Sequence, residues 1–71
     1  MPQDTKIILY KNFQIEIKPE SLPDDKWEAH WWIWISDEAV HFFDNENKFD
    51  TKSDADSRAE IQAKTYIDKI N

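Results

Sequence analysis

Seventy-one residues make a single domain (residues 1–71), near the lower limit of what folds without a metal or a disulfide. The chain has no cysteine and no glycine, which excludes disulfide frameworks, thiolate metal centres, Gly-rich phosphate loops and dinucleotide fingerprints. Fifteen acidic against nine basic residues give a formal net charge of -6, a field that repels polyanions, whose binding rests mostly on phosphate neutralisation.

The opening Met-Pro-Gln-Asp-Thr-Lys lacks the charged start and apolar run of a signal peptide. No apolar stretch approaches the roughly 20 residues of a membrane span. These features point to a cytoplasmic protein with no membrane partner. Residues 6–10 and 13–18 read as two strands flanking Lys11-Asn12. Without glycine, any turn that needs a positive φ is expected to place Asn or Asp there. In the second strand Phe13, Ile15 and Ile17 alternate with Gln14, Glu16 and Lys18, the period of a half-buried strand. A two-residue loop pairs Ile8 and Tyr10 with Ile15 and Phe13, leaving Ile7 and Leu9 on the opposite face. A three-residue loop reverses that assignment, since a one-residue slip flips every side chain.

Pro19 to Asp25, bounded by prolines that cannot donate to a ladder, reads as a connection. A tryptophan-rich strand then runs from about Lys26 to Ser36. Trp27, Ala29, Trp31, Ile33 and Ile35 share one face, and Glu28, His30, Trp32, Trp34 and Ser36 the other. An Asp37-Glu38 turn would return Ala39 to Asp44 antiparallel, with Ile35 opposite Val40, Ile33 opposite Phe42, Trp34 opposite His41 and Trp32 opposite Phe43. Asp44 to Lys48 reads as a polar loop. A helix follows, with Ser53 as N-cap, Asp54 and Asp56 at the positive end of the dipole and Lys69 at the negative end. Ala55, Ala59, Ala63, Tyr66, Ile67 and Ile70 form its apolar stripe, and Ile61 lies on the far side. The fold class is α+β: a four-stranded antiparallel meander (β-β-β-β-α) with one C-terminal helix on one face.

This layout resembles small, mostly uncharacterised bacterial β-β-β-α domains. The shared elements are Ile15-Glu-Ile-Lys-Pro19, Trp27-Glu-Ala and Ala59 through Ala63 to Tyr66-Ile67-Asp68. A more distant likeness is to the domain of HicB-type antitoxins, although this chain lacks the glycines of their hairpins and a separate DNA-binding segment. The first resemblance implies the architecture. The second implies, as an alternative function, a nucleic-acid-associated regulator.

One helix covers only one face of a sheet, yet the other face carries Trp32 and Trp34 where polar residues are the rule. Either a loop, the N-terminal arm or the Pro19–Asp25 segment folds across it, or the face is a contact surface. The expected partner-binding residues are Trp32, Trp34, His41, Phe43 and His30, and the expected partner is another protein or a second copy of the chain. Tryptophan suits that role because it buries a large area at low entropic cost.

No catalytic, cofactor-binding or metal-ligating set emerges. His30 and His41, with Glu28 and Glu16 as possible neighbours, read as polar spacers between aromatics. The stretch Asp44 to Asp50 fails the calcium-loop pattern, with Lys48 at the fifth position and Phe49 at the sixth. No serine or threonine stands at a motif spacing from a histidine. Aromatics on a sheet can stack single-stranded nucleic acid, but such platforms add basic residues for the phosphates. Here Asp37 to Asp56 holds seven carboxylates and two lysines, which reads as a solvated surface or a docking face for a basic partner. The reading is therefore a non-enzymatic protein-binding or adaptor module.

Overall fold

A computed structural model describes residues 5–70. It is an antiparallel sheet with a C-terminal helix packed on one face, built from β1 (Lys6–Tyr10), β2 (Phe13–Ile17), β3 (Glu20–Ser21), β4 (Trp27–Ile35), β5 (Glu38–Phe49) and α1 (Lys52–Ile70). The expected α+β meander is present, with one short strand more than the sequence suggested.

The first hairpin takes the two-residue alternative. Tyr10 pairs with Phe13 and Ile8 with Ile15, and Lys11 and Asn12 both have positive φ (49° and 70°), the signature of a type I′ turn. Ile7 and Leu9 therefore fall on the face away from the helix.

β3 corrects the reading of Pro19–Asp25 as a connection. Glu20 pairs with Glu28 and Ser21 with Trp27, continuing the register in which Ile17 pairs with Trp31. Between them the Lys18 N–H donates to the His30 carbonyl at 3.1 Å. Narrow and wide pairs alternate along an antiparallel ladder, so the next position, Pro19, directs its nitrogen away from β4. The missing N–H costs the β4 ladder nothing, and buried Pro19 leaves β2 and β3 collinear. The chain turns back only afterwards, where the Leu22 N–H bonds the Lys26 carbonyl at 2.8 Å and Asp25 takes a φ of 61°.

The second hairpin turns at Ser36-Asp37, not at Asp37-Glu38. Ile35 pairs with Glu38, Ile33 with Val40, Trp32 with His41, Trp31 with Phe42 and His30 with Phe43. The pairing is offset from expectation by two residues, so every side chain keeps its face while its neighbour changes. Only Ser36 of the two turn residues has positive φ (58°), the type II′ pattern that prefers glycine first. Left-handed backbone costs a non-glycine residue about 1–2 kcal/mol, partly offset by the greater flexibility of glycine when unfolded. Ser36→Gly is therefore expected to stabilise the protein by about 0.5–1 kcal/mol, read as a higher urea midpoint. A lower midpoint would refute this turn assignment.

The expected polar loop at Asp44–Lys48 is instead part of β5. Ala29 pairs with Asp44 but Trp27 with Phe49, so residues 45–48 bulge out of the ladder. Asp44 organises the bulge: it accepts the Glu46 N–H at 3.1 Å, Asn47 Nδ2 at 3.2 Å and Arg58 Nε at 3.3 Å.

Helix capping also differs. Thr51, not Ser53, is the N-cap: its Oγ1 accepts the Asp54 N–H at 3.1 Å, and its carbonyl accepts the Ala55 N–H. Ala55, Ala59, Ala63 and Ile67 are fully buried against Ile15, Ile17, Ala29, Trp31 and Ile33. The small first half of the stripe lets α1 lie close to the sheet. Ile70, expected in the stripe, is exposed, as is Ile61. Trp31 lies parallel to Phe42, which meets Tyr66 of the helix at 4.8 Å between centroids. Tyr10 and Lys11 both reach Asp68, at 3.0 and 2.7 Å, and join the first hairpin to the end of the helix. Among the described residues, no helix is long and apolar enough to cross a membrane.

Candidate functional site: the open sheet face

The helix lies on one face only, and the pairing arranges the other in ranks across the strands. One rank runs Leu9, Gln14, Trp34, Ala39, and the next Ile7, Glu16, Trp32, His41. His30 and Phe43 form a third, and Glu20 faces Glu28 beyond them. All five residues singled out from the sequence (His30, Trp32, Trp34, His41 and Phe43) thus lie on one surface. Ile7 and Leu9 extend it, at 60% and 74% exposure. Among the described residues no segment crosses this face. The Pro19–Asp25 segment prolongs the sheet rather than folding over it, and the N-terminal arm through Asp4 lies outside the described residues.

The aromatic side chains are held, not loose. Trp34 Nε1 donates to Glu16 Oε1 at 2.5 Å, steadying an indole that remains 36% exposed. Trp32 stacks on His41, with centroids 4.6 Å apart and planes 17° from parallel. Phe43 lies beside His30 at 5.5 Å and is half exposed. Trp32 separates two shallow depressions, one bordered by Thr5, Glu16, Lys18 and Trp34, the other by Lys18, Glu20, His30 and His41.

A polar line runs through this surface. His30 Nδ1 lies 2.9 Å from His41 Nε2, and His30 Nε2 lies 2.8 Å from Glu28 Oε1. The two imidazole centroids are 5.1 Å apart with planes at 13°. A 2.9 Å nitrogen contact between near-parallel rings at that separation places them edge to edge, close to one plane, which is hydrogen-bond geometry. Lys48 Nζ sits 3.1 Å from the other Glu28 oxygen. The His30 hydrogen bond and then Lys48 hold the Glu28 carboxyl below its ordinary range, against the opposing effect of burial. With Glu28 ionised, His30 Nε2 carries the hydrogen facing it. With that hydrogen on Nε2, His30 Nδ1 is the acceptor position facing His41 Nε2.

Two features of this line escaped sequence reasoning. Of the two carboxylates expected as possible neighbours of the histidines, Glu28 meets His30, but Glu16 is engaged by Trp34. Glu20 was assigned to a loop, whereas β3 brings its carboxylate to 3.9 Å from His30 Nε2. The collinear register across Pro19 was the available signal. Comparison with protein-family models, curated proteins and solved structures finds no match to this chain.

Proposed function

We propose that this chain is a non-enzymatic protein-binding module that docks a partner, or a second copy of itself, on the open sheet face. The observation that carries the reading is the contiguous apolar surface of Ile7, Leu9, Trp32, Trp34 and Phe43, a kind of patch that monomers rarely expose. Its indoles are held in place by Glu16 and His41, so little side-chain freedom is lost on docking. Glu16, Glu20 and Glu28 on the same surface favour a partner that brings basic residues, and indole faces attract such cations as well.

Sedimentation of the wild type across a concentration series, beside the folded double variant Trp32→Ser/Trp34→Ser, tests the proposal. A concentration-dependent dimer lost in the variant supports the self-associating form. A monomer in which a soluble quencher reaches the fluorescence that the double variant lacks supports a face free for another protein. A monomer whose Trp32 and Trp34 emission is shielded overturns the docking reading.

The antitoxin-type alternative draws on the stacked aromatics, since each stacked base adds roughly 1–3 kcal/mol. Against it stand the net charge of -6 and a face whose carboxylates outnumber its lysines. No measurable binding of short single-stranded DNA, RNA or duplex is expected by fluorescence anisotropy at near-physiological salt. Micromolar binding that weakens with salt and is lost in Trp32→Ser would place the regulator reading first.

A further inference from the structure

At the end of the open face, three potential ligand atoms converge. Glu28 Oε1 lies 2.8 Å and Glu20 Oε1 3.9 Å from His30 Nε2, and one atom from each residue lies within 4.8 Å of the others. Zinc bonds to nitrogen and oxygen are about 2.0–2.2 Å long, so two ligands of a tetrahedral ion sit roughly 3.3–3.5 Å apart. Small side-chain rotations bring the three atoms to that spacing.

The surroundings favour an ion there. Glu20 and Glu28 are directly opposite across the strand pair, where like charges destabilise a sheet. Lys48 satisfies the outward oxygen of Glu28 and leaves the inward one for His30. Among the described residues, the Glu20 carboxylate meets a basic side chain only at His30, 3.9 Å away. His30 and Glu28 are both well covered, with side chains 13% and 15% exposed, and cross-strand pairing fixes the positions of all three residues.

His41 supplies what a histidine ligand needs behind it. A metal on His30 Nε2 replaces the hydrogen that faces Glu28. The ring then carries its proton on Nδ1 and donates it to His41 Nε2, already 2.9 Å away, the kind of outer contact that fixes ligand tautomer and orientation. One imidazole with two carboxylates suits zinc-class transition ions better than calcium or magnesium, which prefer all-oxygen shells. We propose that Glu20, Glu28 and His30 bind a divalent transition-metal ion of the zinc class, with His41 as the residue that positions His30.

The site does not depend on the docking reading. Zinc chloride titrated into the full chain, followed by calorimetry and by thermal melting, tests it. One ion per chain and a raised melting temperature are expected, with magnesium at equal concentration causing neither. Glu20→Gln, on an exposed side chain that leaves the core untouched, should weaken zinc binding at least tenfold and abolish the melting shift. His41→Ala should weaken it about 10–100-fold at unchanged stoichiometry. Trp34→Ser should bind zinc like the wild type, which separates this site from the docking face. Absence of a zinc-dependent melting shift in the wild type, or undiminished binding by Glu20→Gln, overturns the proposal.

Discussion

Ile67→Asp and Ala59→Arg are each expected to lose about 3–5 kcal/mol of stability, enough to unfold a domain of this size under ordinary conditions. Both positions are fully buried between α1 and the sheet. At residue 67 the change removes a large apolar side chain and leaves a carboxylate with no described cation to pair it. At residue 59 it forces a long cationic chain into a gap sized for a methyl group. Ile61→Ser and Ile70→Ser supply the contrast, because these side chains are 57% and 46% exposed. Each should stay within about 0.5 kcal/mol of the wild type. Urea unfolding of the four variants measures all of this at once. Ile61→Ser as damaging as Ile67→Asp would mean that the helix presents a different face to the sheet.

Asp44→Ala should cost about 2–3 kcal/mol, more than is usual for a strand residue beside a bulge. Its carboxylate is only 11% exposed and holds the Glu46 N–H, Asn47 and Arg58 together. Its loss removes three hydrogen bonds to a charged acceptor and frees the bulge from the helix. Burial alone would raise the Asp44 carboxyl. The hydrogen bonds from Asn47, the Glu46 N–H and Arg58 outweigh that effect and hold it below the ordinary value of 3.8. A carboxyl depressed in the folded state stabilises fully above its unfolded value, and that contribution fades as pH falls through the folded one. The stability difference between wild type and Asp44→Asn is therefore expected to be constant above about pH 5. It should shrink on acidification below about pH 4, as read from denaturant midpoints along a pH series. A gap that widens in acid would contradict this account of the bulge.

The fold was legible where periodicity and turn chemistry agree. β2 announces its faces through Phe13, Ile15 and Ile17, and α1 through its alanines. The turns were harder because no glycine marks them. Lys11 and Ser36 occupy left-handed conformations that sequence reasoning reserved for Asn or Asp, which displaced the second turn by one residue. Faces survived because the resulting register differs by an even number; neighbours did not, so Phe43 lies opposite His30 and not opposite Trp32. Pro19 misled in the other direction. Proline usually ends a strand, and only the alternation of the ladder reveals that its missing N–H points away from β4. With β3 hidden, Glu20 stayed out of view, and so did the carboxylate pair beside His30. The aromatic surface itself was readable, because two indoles on a strand's second face have few explanations.

The meander also bears on how the molecule chooses its inside. Every strand pairing joins segments adjacent in the chain, through the turns at Lys11-Asn12, Leu22–Lys26 and Ser36-Asp37. Such short closures form quickly, so the sheet can assemble while α1 is still undocked. At that stage β4 shows aromatic residues to both sides and cannot direct the helix. The decision falls to β2, whose two faces differ sharply: Phe13, Ile15 and Ile17 on one, Gln14 and Glu16 on the other, with Lys18 following on that side. Docking on the wrong side would trap Glu16 of β2, and Lys18 and Glu28 with it, beneath a row of alanine methyls that offer no partner. A five-residue strand with little aromatic content thus polarises the whole domain, and the tryptophan face stays outside by default.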